Sequence, residues 1–318
     1  MNNIIRSITR NSKDRLRCLV LCKENEKYLK LLSNCNCDLY ILTSYDSSEW
    51  KPSIEDIPPN IFSLNSHVQE SALSFFDCII IQDRLQEYDI GIELSSQLHI
   101  PIINIDHAGL DAIQKIPYGI NINVATPLEP RLGNVSVAIN EEIKKSWSSN
   151  PHDVSLCVPL YVDSEKYKPL DKTIDLVIDN NVPQPSLDLL GGVLERFKTE
   201  SLFRNNRKQE NILGKARLYL STWKGIDLKI LEAMSAGCAV ITQETEDIKS
   251  LIKHGENGFL FSNINELESI LEEHIGQDTG IGQNARRTIE SDYSDLESFV
   301  NKWNQIFSYT SNLFYNRS

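Results

Sequence analysis

The chain has 318 residues, 41% of them hydrophobic and 24% charged, which is enough for two domains with a core in each and too apolar for a disordered chain. Its formal net charge of -12 opposes a nucleic-acid partner unless a local basic face offsets the field. Residues 1–15 are basic without the apolar centre of a secretory leader, and no apolar run reaches the length of a membrane span, so a soluble cytoplasmic protein is expected.

From residue 16 the pattern alternates short apolar runs with amphipathic stretches: L-R-C-L-V-L-C, E-N-E-K-Y-L-K-L-L, D-L-Y-I-L-T-S, D-C-I-I-I-Q-D and P-I-I-N-I-D-H. Strands that are apolar throughout and separated by helical periods predict a parallel sheet covered on both faces. N-V-S-V-A-I adds a strand, Asn140 starts a helix with E-E-I-K-K-S-W behind it, and V-S-L-C-V-P-L-Y-V-D reads as a further strand. The polar stretch S-E-K-Y-K-P-L-D-K-T reads as a hinge. A second α/β series follows: I-D-L-V-I-D, A-R-L-Y-L-S-T, C-A-V-I-T-Q and G-F-L-F-S, with helices predicted over 227–236 and 264–275 and one or two aromatic-rich helices at the end. The expected class is α/β with two Rossmann-like halves, residues 1–170 and 171–318, the last helix being a candidate to return to the first half.

Seven cysteines, Cys18, Cys22, Cys35, Cys37, Cys78, Cys157 and Cys238, are an odd number and sit mostly in apolar runs, as befits a reducing compartment. The Cys18/Cys22 and Cys35/Cys37 spacings differ from a zinc knuckle, and no Asp-x-Asp lies near a strand end, so no metal is expected.

The informative stretch is L-Y-L-S-T, W-K-G-I-D, a helix ending in M-S-A-G, and C-A-V-I-T. A strand, a short loop and a helix start present backbone N–H groups and a positive helix end to a phosphate. Gly225 makes the loop permissive, and Asp227 can cap the helix. Glu232, further along the same helix, can accept both hydroxyls of a ribose. The competing readings are that Gly225 and Gly237 are turn and C-cap glycines and that Glu232 is a solvated carboxylate near Lys229. Among the histidines, His107 stands apart, at the C-terminal end of an apolar strand where open parallel sheets bind ligands; its competing reading is structural. His67, His99, His152, His254 and His274 show no convergent pattern. Asp83, Asp89 and Asp106 are candidate acceptor-side carboxylates, Asp106 being the best placed.

E-A-M-S-A-G-C-A-V-I, then I-K-H-G-E-N-G-F-L-F, then G-Q-N-A-R-R-T-I-E-S-D-Y-S resemble, in order and spacing, the C-terminal half of the family 4 retaining glycosyltransferases. C-V-P-L-Y-V-D-S-E-K-Y-K-P-L resembles that family's inter-domain strand and linker, and I-P-I-I-N-I-D-H its strand ending in a histidine. The resemblance implies the GT-B fold, two Rossmann-like domains facing each other across a cleft, with residues 1–170 on the acceptor side and 171–318 binding the nucleotide sugar. It also implies retaining transfer from a nucleoside-diphosphate sugar, such as a UDP-sugar, to an acceptor hydroxyl without a metal, and contact between His107 and the donor sugar. The acceptor stays open: a glycan, a lipid-linked sugar, a small molecule or a hydroxylated DNA base.

In that family two glutamates separated by seven residues hold the donor, the second on the ribose and the first on the transferred sugar. The second matches Glu232; the first falls on Lys224, and a family glycine falls on Asp227. The arginine and lysine that family members place after the first strand of this domain are missing, since I-D-L-V-I-D runs into N-N-V-P-Q-P-S-L-D-L-L-G-G and the nucleotide domain is abbreviated. Lys224 beside the helix start is one replacement for those cations; an exposed loop lysine is the other reading. The donor-binding set is then Thr222, Gly225, Ile226, Asp227, Leu228 and Glu232, with His107 and Lys224 as catalytic candidates. Two rivals remain open: a phage-type transferase acting on DNA, with Arg204, Arg207 and Lys208 as its basic face, and a non-catalytic GT-B module that binds nucleotide or protein.

Overall fold

A computed structural model describes residues 15–21, 26–43, 56–65, 75–82, 86–109, 134–147, 155–179, 194–195, 198–202, 209–221, 225–277 and 279–315. They fall into two compact units: the first runs to Pro159 and resumes at Glu297, and the second is Leu160–Leu296.

The first unit contains β1 (Leu16–Leu21), α1 (Glu26–Leu32), β2 (Cys37–Thr43), β3 (Ile61–Asn65), β4 (Cys78–Gln82), α2 (Gln86–Leu98), β5 (Ile102–Asp106), β6 (Val135–Ala138), α3 (Glu141–Trp147) and β7 (Ser155–Cys157). The strands form one sheet in the order β3-β2-β1-β4-β5-β6-β7, every pair parallel. Every residue of β4, β5 and β6 is buried, as strands covered on both faces must be. Asn140 caps α3, its Oδ1 accepting the Ile143 N–H at 2.7 Å.

The strand predicted over V-S-L-C-V-P-L-Y-V-D is shorter than expected and ends at Cys157. Val158 makes one more bond, donating to the Ala138 carbonyl at 2.9 Å, and then Pro159 brings no N–H to the ladder. The edge strand β3 was not expected from the sequence.

The aromatic-rich C-terminus is one helix, α8 (Leu296–Tyr315), counted in the first unit from Glu297 onward. Trp303 is fully buried there; it and Phe299 each meet the ring of Tyr28 edge-on at 6.5 Å. Asn304 Oδ1 accepts the backbone N–H of Asn36 at 2.8 Å. Cys18 and Cys78, directly paired on β1 and β4, hold their sulfurs 3.4 Å apart, and burial pushes the Cys18 thiol well up. Cys22 lies outside the described residues. Among those residues, no group of three or more His, Cys, Asp or Glu side chains could hold a metal ion, and no helix is long and apolar enough to cross a membrane.

The second unit contains β8 (Ile174–Asp179), β9 (Thr199–Leu202), α4 (Gln209–Lys215), β10 (Ala216–Leu220), α5 (Leu228–Ser235), β11 (Ala239–Gln243), β12 (Gly258–Phe261), α6 (Ile264–His274) and α7 (Ile281–Asp292). Its parallel sheet has the order β12-β11-β10-β8-β9. Leu176, Ile178, Leu218, Leu220, Ala239 and Ile241 form one face of the core with Leu267, Ile270 and Leu271 of α6. The alternate residues Val177, Tyr219 and Val240, also buried, belong to the opposite face.

Three backbone junctions fix α5. Gly237, at φ 73°, ends it in the left-handed region, with its N–H on the Met234 carbonyl at 3.0 Å and the Cys238 N–H on Ala233 at 2.9 Å. Helix α7 comes so close that a Cβ on Gly282 would lie 2.3 Å from the Gly237 carbonyl oxygen. Arg286 Nη1 donates to the carbonyls of Ser235 at 2.7 Å, Tyr167 at 3.2 Å and Ser164 at 3.3 Å.

Candidate active site

Strand β10 delivers the chain to the C-terminal edge of the second sheet, where the Ser221 N–H donates to the Ile241 carbonyl at 2.9 Å. Thr222 and Lys224 lie outside the described residues. Gly225 has φ 126°, a conformation that side chains rarely adopt, and turns the chain toward α5. Ile226 is buried beneath the turn. Asp227 is extended, at φ −133° and ψ 170°, and its Oδ1 accepts the Ile230 N–H at 2.8 Å. The cap read from the sequence is therefore present, and Leu228 is the first helical residue.

Glu232 is only 4% exposed, which corrects the reading of it as a solvated helix carboxylate beside Lys229. Lys229 goes elsewhere: its Nζ lies 3.0 Å and 3.3 Å from the two carboxylate oxygens of Asp179, the last residue of β8. The Tyr219 hydroxyl donates to the same carboxylate at 3.1 Å. Asp179, Tyr219, Asp227, Lys229 and Glu232 thus share the C-terminal edge of the sheet.

Electrostatics reflect this crowding. Burial raises the Asp227 carboxyl to about 6; the charges of Asp179 and Glu232 push the same way, against the Ile230 N–H and Lys229. The Tyr219 phenol is driven well above its ordinary value, first by burial and then by the Asp179 charge. Such an edge can bind a nucleoside through a buried carboxylate and an anion through the turn and the positive end of α5. Gly225, Ile226, Asp227, Leu228 and Glu232 lie along this one turn and helix. Asp179 and Tyr219 were missed; the only signal for Asp179 was a charged residue ending an otherwise apolar strand.

In the first unit His107 stands at the C-terminal end of β5. Its Nε2 lies 2.9 Å from Gln82 Oε1 at the end of β4, and its ring meets Tyr28 edge-on at 4.7 Å. Helix α3 fixes the turn behind it, Trp147 Nε1 donating to the Ala108 carbonyl at 3.0 Å. Desolvation lowers the His107 imidazole to about 4, with the Asp106 charge opposing. The lowered value favours the neutral ring at physiological pH.

Asp106 is 1% exposed and accepts from Asn104 Nδ2 at 2.7 Å and Ser136 Oγ at 2.5 Å. It is an internal anchor of β5 and β6, not the open acceptor-side carboxylate its sequence position suggested. Asp89 is exposed on α2; Asp83, His67, His152, Arg204, Arg207 and Lys208 lie outside the described residues.

Residues 194–275 match the family model Glycosyl transferases group 1. No curated protein sequence matches the chain. Among solved structures, Anabaena Alr3699/HepE in complex with UDP-glucose superposes with a TM-score of 0.68 at 14% identity, over 92% of this chain and 100% of that one. Sucrose-phosphate synthase from Thermosynechococcus elongatus gives 0.64 at 10% identity, over 92% and 98%. A glycosyltransferase from Rickettsia africae gives 0.60 at 12% identity, over 93% and 99%. The chain therefore has the GT-B fold of these proteins, and its residues 194–275 are similar to the group 1 glycosyl transferases.

Proposed function

We propose that the protein moves a sugar from a nucleoside-diphosphate sugar to an acceptor hydroxyl, with retention at the anomeric carbon and without a bound metal. The observation that carries this reading is the turn and helix over 225–232, capped by Asp227 and bearing the buried Glu232, inside the segment that matches the glycosyltransferase model. In this reading Glu232 holds the ribose, the Gly225 turn and the first turn of α5 face the diphosphate, and His107 contacts the donor sugar as a neutral hydrogen-bonding group. The second unit binds the donor and the first the acceptor. As the bond from the anomeric carbon to the diphosphate breaks, the acceptor oxygen bonds that carbon and its proton passes to the departing diphosphate, which gains charge; Lys224 is assigned to that growing charge. A cytoplasmic setting suits the buried free thiols.

UDP-glucose is the first donor to test, because Anabaena Alr3699/HepE is bound to it. Incubation with UDP-, GDP- and ADP-sugars without acceptor should release free nucleotide from one of them, and EDTA should leave that rate unchanged. Activity lost to EDTA and restored by magnesium or manganese would remove the metal-independent mechanism; the absence of both binding and hydrolysis across the panel would remove the transferase. Lys224→Met should lower turnover roughly ten- to a thousand-fold with a smaller change in donor affinity. Equal turnover in the variant would place the lysine outside the chemistry.

A further inference from the structure

The sequence offers no Lys or Arg between Asp179 and Arg196, so the first basic residue beyond β8 is the seventeenth. The end of β8 and the start of α5 instead bring carboxylates to this edge, from Asp179 and Asp227, with Glu232 further along the helix. A doubly charged diphosphate arriving at the start of α5 needs more than the helix end and backbone N–H groups to offset them. Among the described residues, the helix itself brings a cation to this edge. Lys229 sits in the first turn of α5, its side chain 18% exposed and its ammonium 3.0 Å from Asp179 Oδ1. Asp179 has no exposed side-chain surface and is itself held by the Tyr219 hydroxyl at 3.1 Å. An ammonium carries three N–H donors, and the two oxygens of Asp179 do not exhaust them.

On the reading that this edge binds a nucleoside-diphosphate sugar, we propose that Lys229 is a further cation, beside Lys224, that receives the diphosphate, and that Asp179 and Tyr219 are positioning residues that hold its ammonium at the helix start. The arrangement replaces cations from the loop after β8 with one cation from the helix, pinned by an acid at the strand end. A lysine held this way loses less side-chain freedom when the ligand arrives than an unattached one. Its attraction for the phosphates increases once the glycosidic bond has broken, so it acts on turnover as well as affinity.

The competing account is that Lys229 merely neutralises a buried Asp179. Calorimetric titration of the full chain with UDP, GDP and ADP, and with the matching nucleosides, separates the two. For whichever diphosphate binds, Lys229→Met should weaken it roughly ten- to a hundred-fold. The nucleoside should bind as before, and Lys229→Arg should recover most of the loss. Lys229→Met also strands a buried carboxylate and will lower the melting temperature; the pair Asp179→Asn with Lys229→Met should restore stability without restoring diphosphate affinity. Recovery of both together, or equal weakening of nucleoside and diphosphate, overturns the proposal. A parent protein that binds none of the three diphosphates overturns the nucleotide-sugar reading itself, whereas a parent that binds one of them and a Lys229→Met variant that binds it equally well overturns the lysine assignment alone.

Discussion

A histidine lowered to about 4 and an aspartate raised to about 6 each tie protonation to stability, with opposite signs. His107 binds its proton more weakly in the fold than in the unfolded chain. The stability it contributes is present above about pH 6.5 and is lost as pH falls from there toward 4. His107→Gln should therefore flatten the acid limb of the denaturation curve in that window, and parallel decline of variant and parent would exonerate the imidazole. Asp227 binds its proton more tightly in the fold, so its favourable contribution is present below the unfolded value of 3.8 and is lost as pH rises through about 6. Asn caps a helix about as well as Asp and carries no charge. Asp227→Asn should consequently raise the melting temperature at pH 8 and leave it nearly unchanged at pH 4. The same proton should link to the ligand: a UDP-sugar, whose diphosphate does not titrate near neutrality, should bind more tightly at pH 6 than at pH 8, and the Asn variant should lose that dependence. Identical pH profiles in parent and variant would show that Asp227 stays ionised when the donor is bound.

At the scale of the element, α5 is positioned by its two ends as much as by its sides. Gly282→Ala would drive a methyl into the Gly237 carbonyl at 2.3 Å, where backbone opposes backbone and nothing flexible can yield. We expect a loss of about 2–4 kcal/mol of stability in the second unit, measured by denaturant unfolding. A change under 1 kcal/mol would mean that α7 slides without cost. The sequence was most readable where one element carries its own signal. Strands β1, β4, β5, β8, β10 and β11 announce themselves because both faces are apolar, and Asp227 because a cap acts three residues ahead of itself. Strand β3 hid because its Ile-Phe-Ser-Leu-Asn mixes polar and apolar positions at a sheet edge, and β9 because Thr-Glu-Ser-Leu is mostly polar. Pro159 was legible as a residue but not as the end of β7, since the preceding apolar run reads straight through it. The Lys229–Asp179 contact spans 50 residues and depends on β8 lying beside β10, which no local pattern reports. In sequence Lys229 stands out only as the helix neighbour of Glu232, in the competing reading of that carboxylate.

For the molecule as a whole, the two titrations divide the chain: acidification from pH 6 to 4 should loosen the His107 environment while favouring the Asp227 cap. Hydrogen exchange read by peptide mass should show β5 and α1 losing protection across that range while α5 does not, and a uniform loss through both units would contradict these assignments. The other whole-chain property lies in the path of the backbone. The first unit takes its strands from before Leu160 and its Trp303 from after Leu296, so the second unit is a continuous passage set inside a discontinuous one. During synthesis the second unit can close as soon as Leu296 has emerged. The first must wait, although most of it was made earlier, because the side of Tyr28 that Phe299 and Trp303 cover stays wet until the final helix is out. The half of the protein translated first is thus completed last, and a premature stop just before residue 297 should yield a foldable second unit attached to a first unit whose core is open.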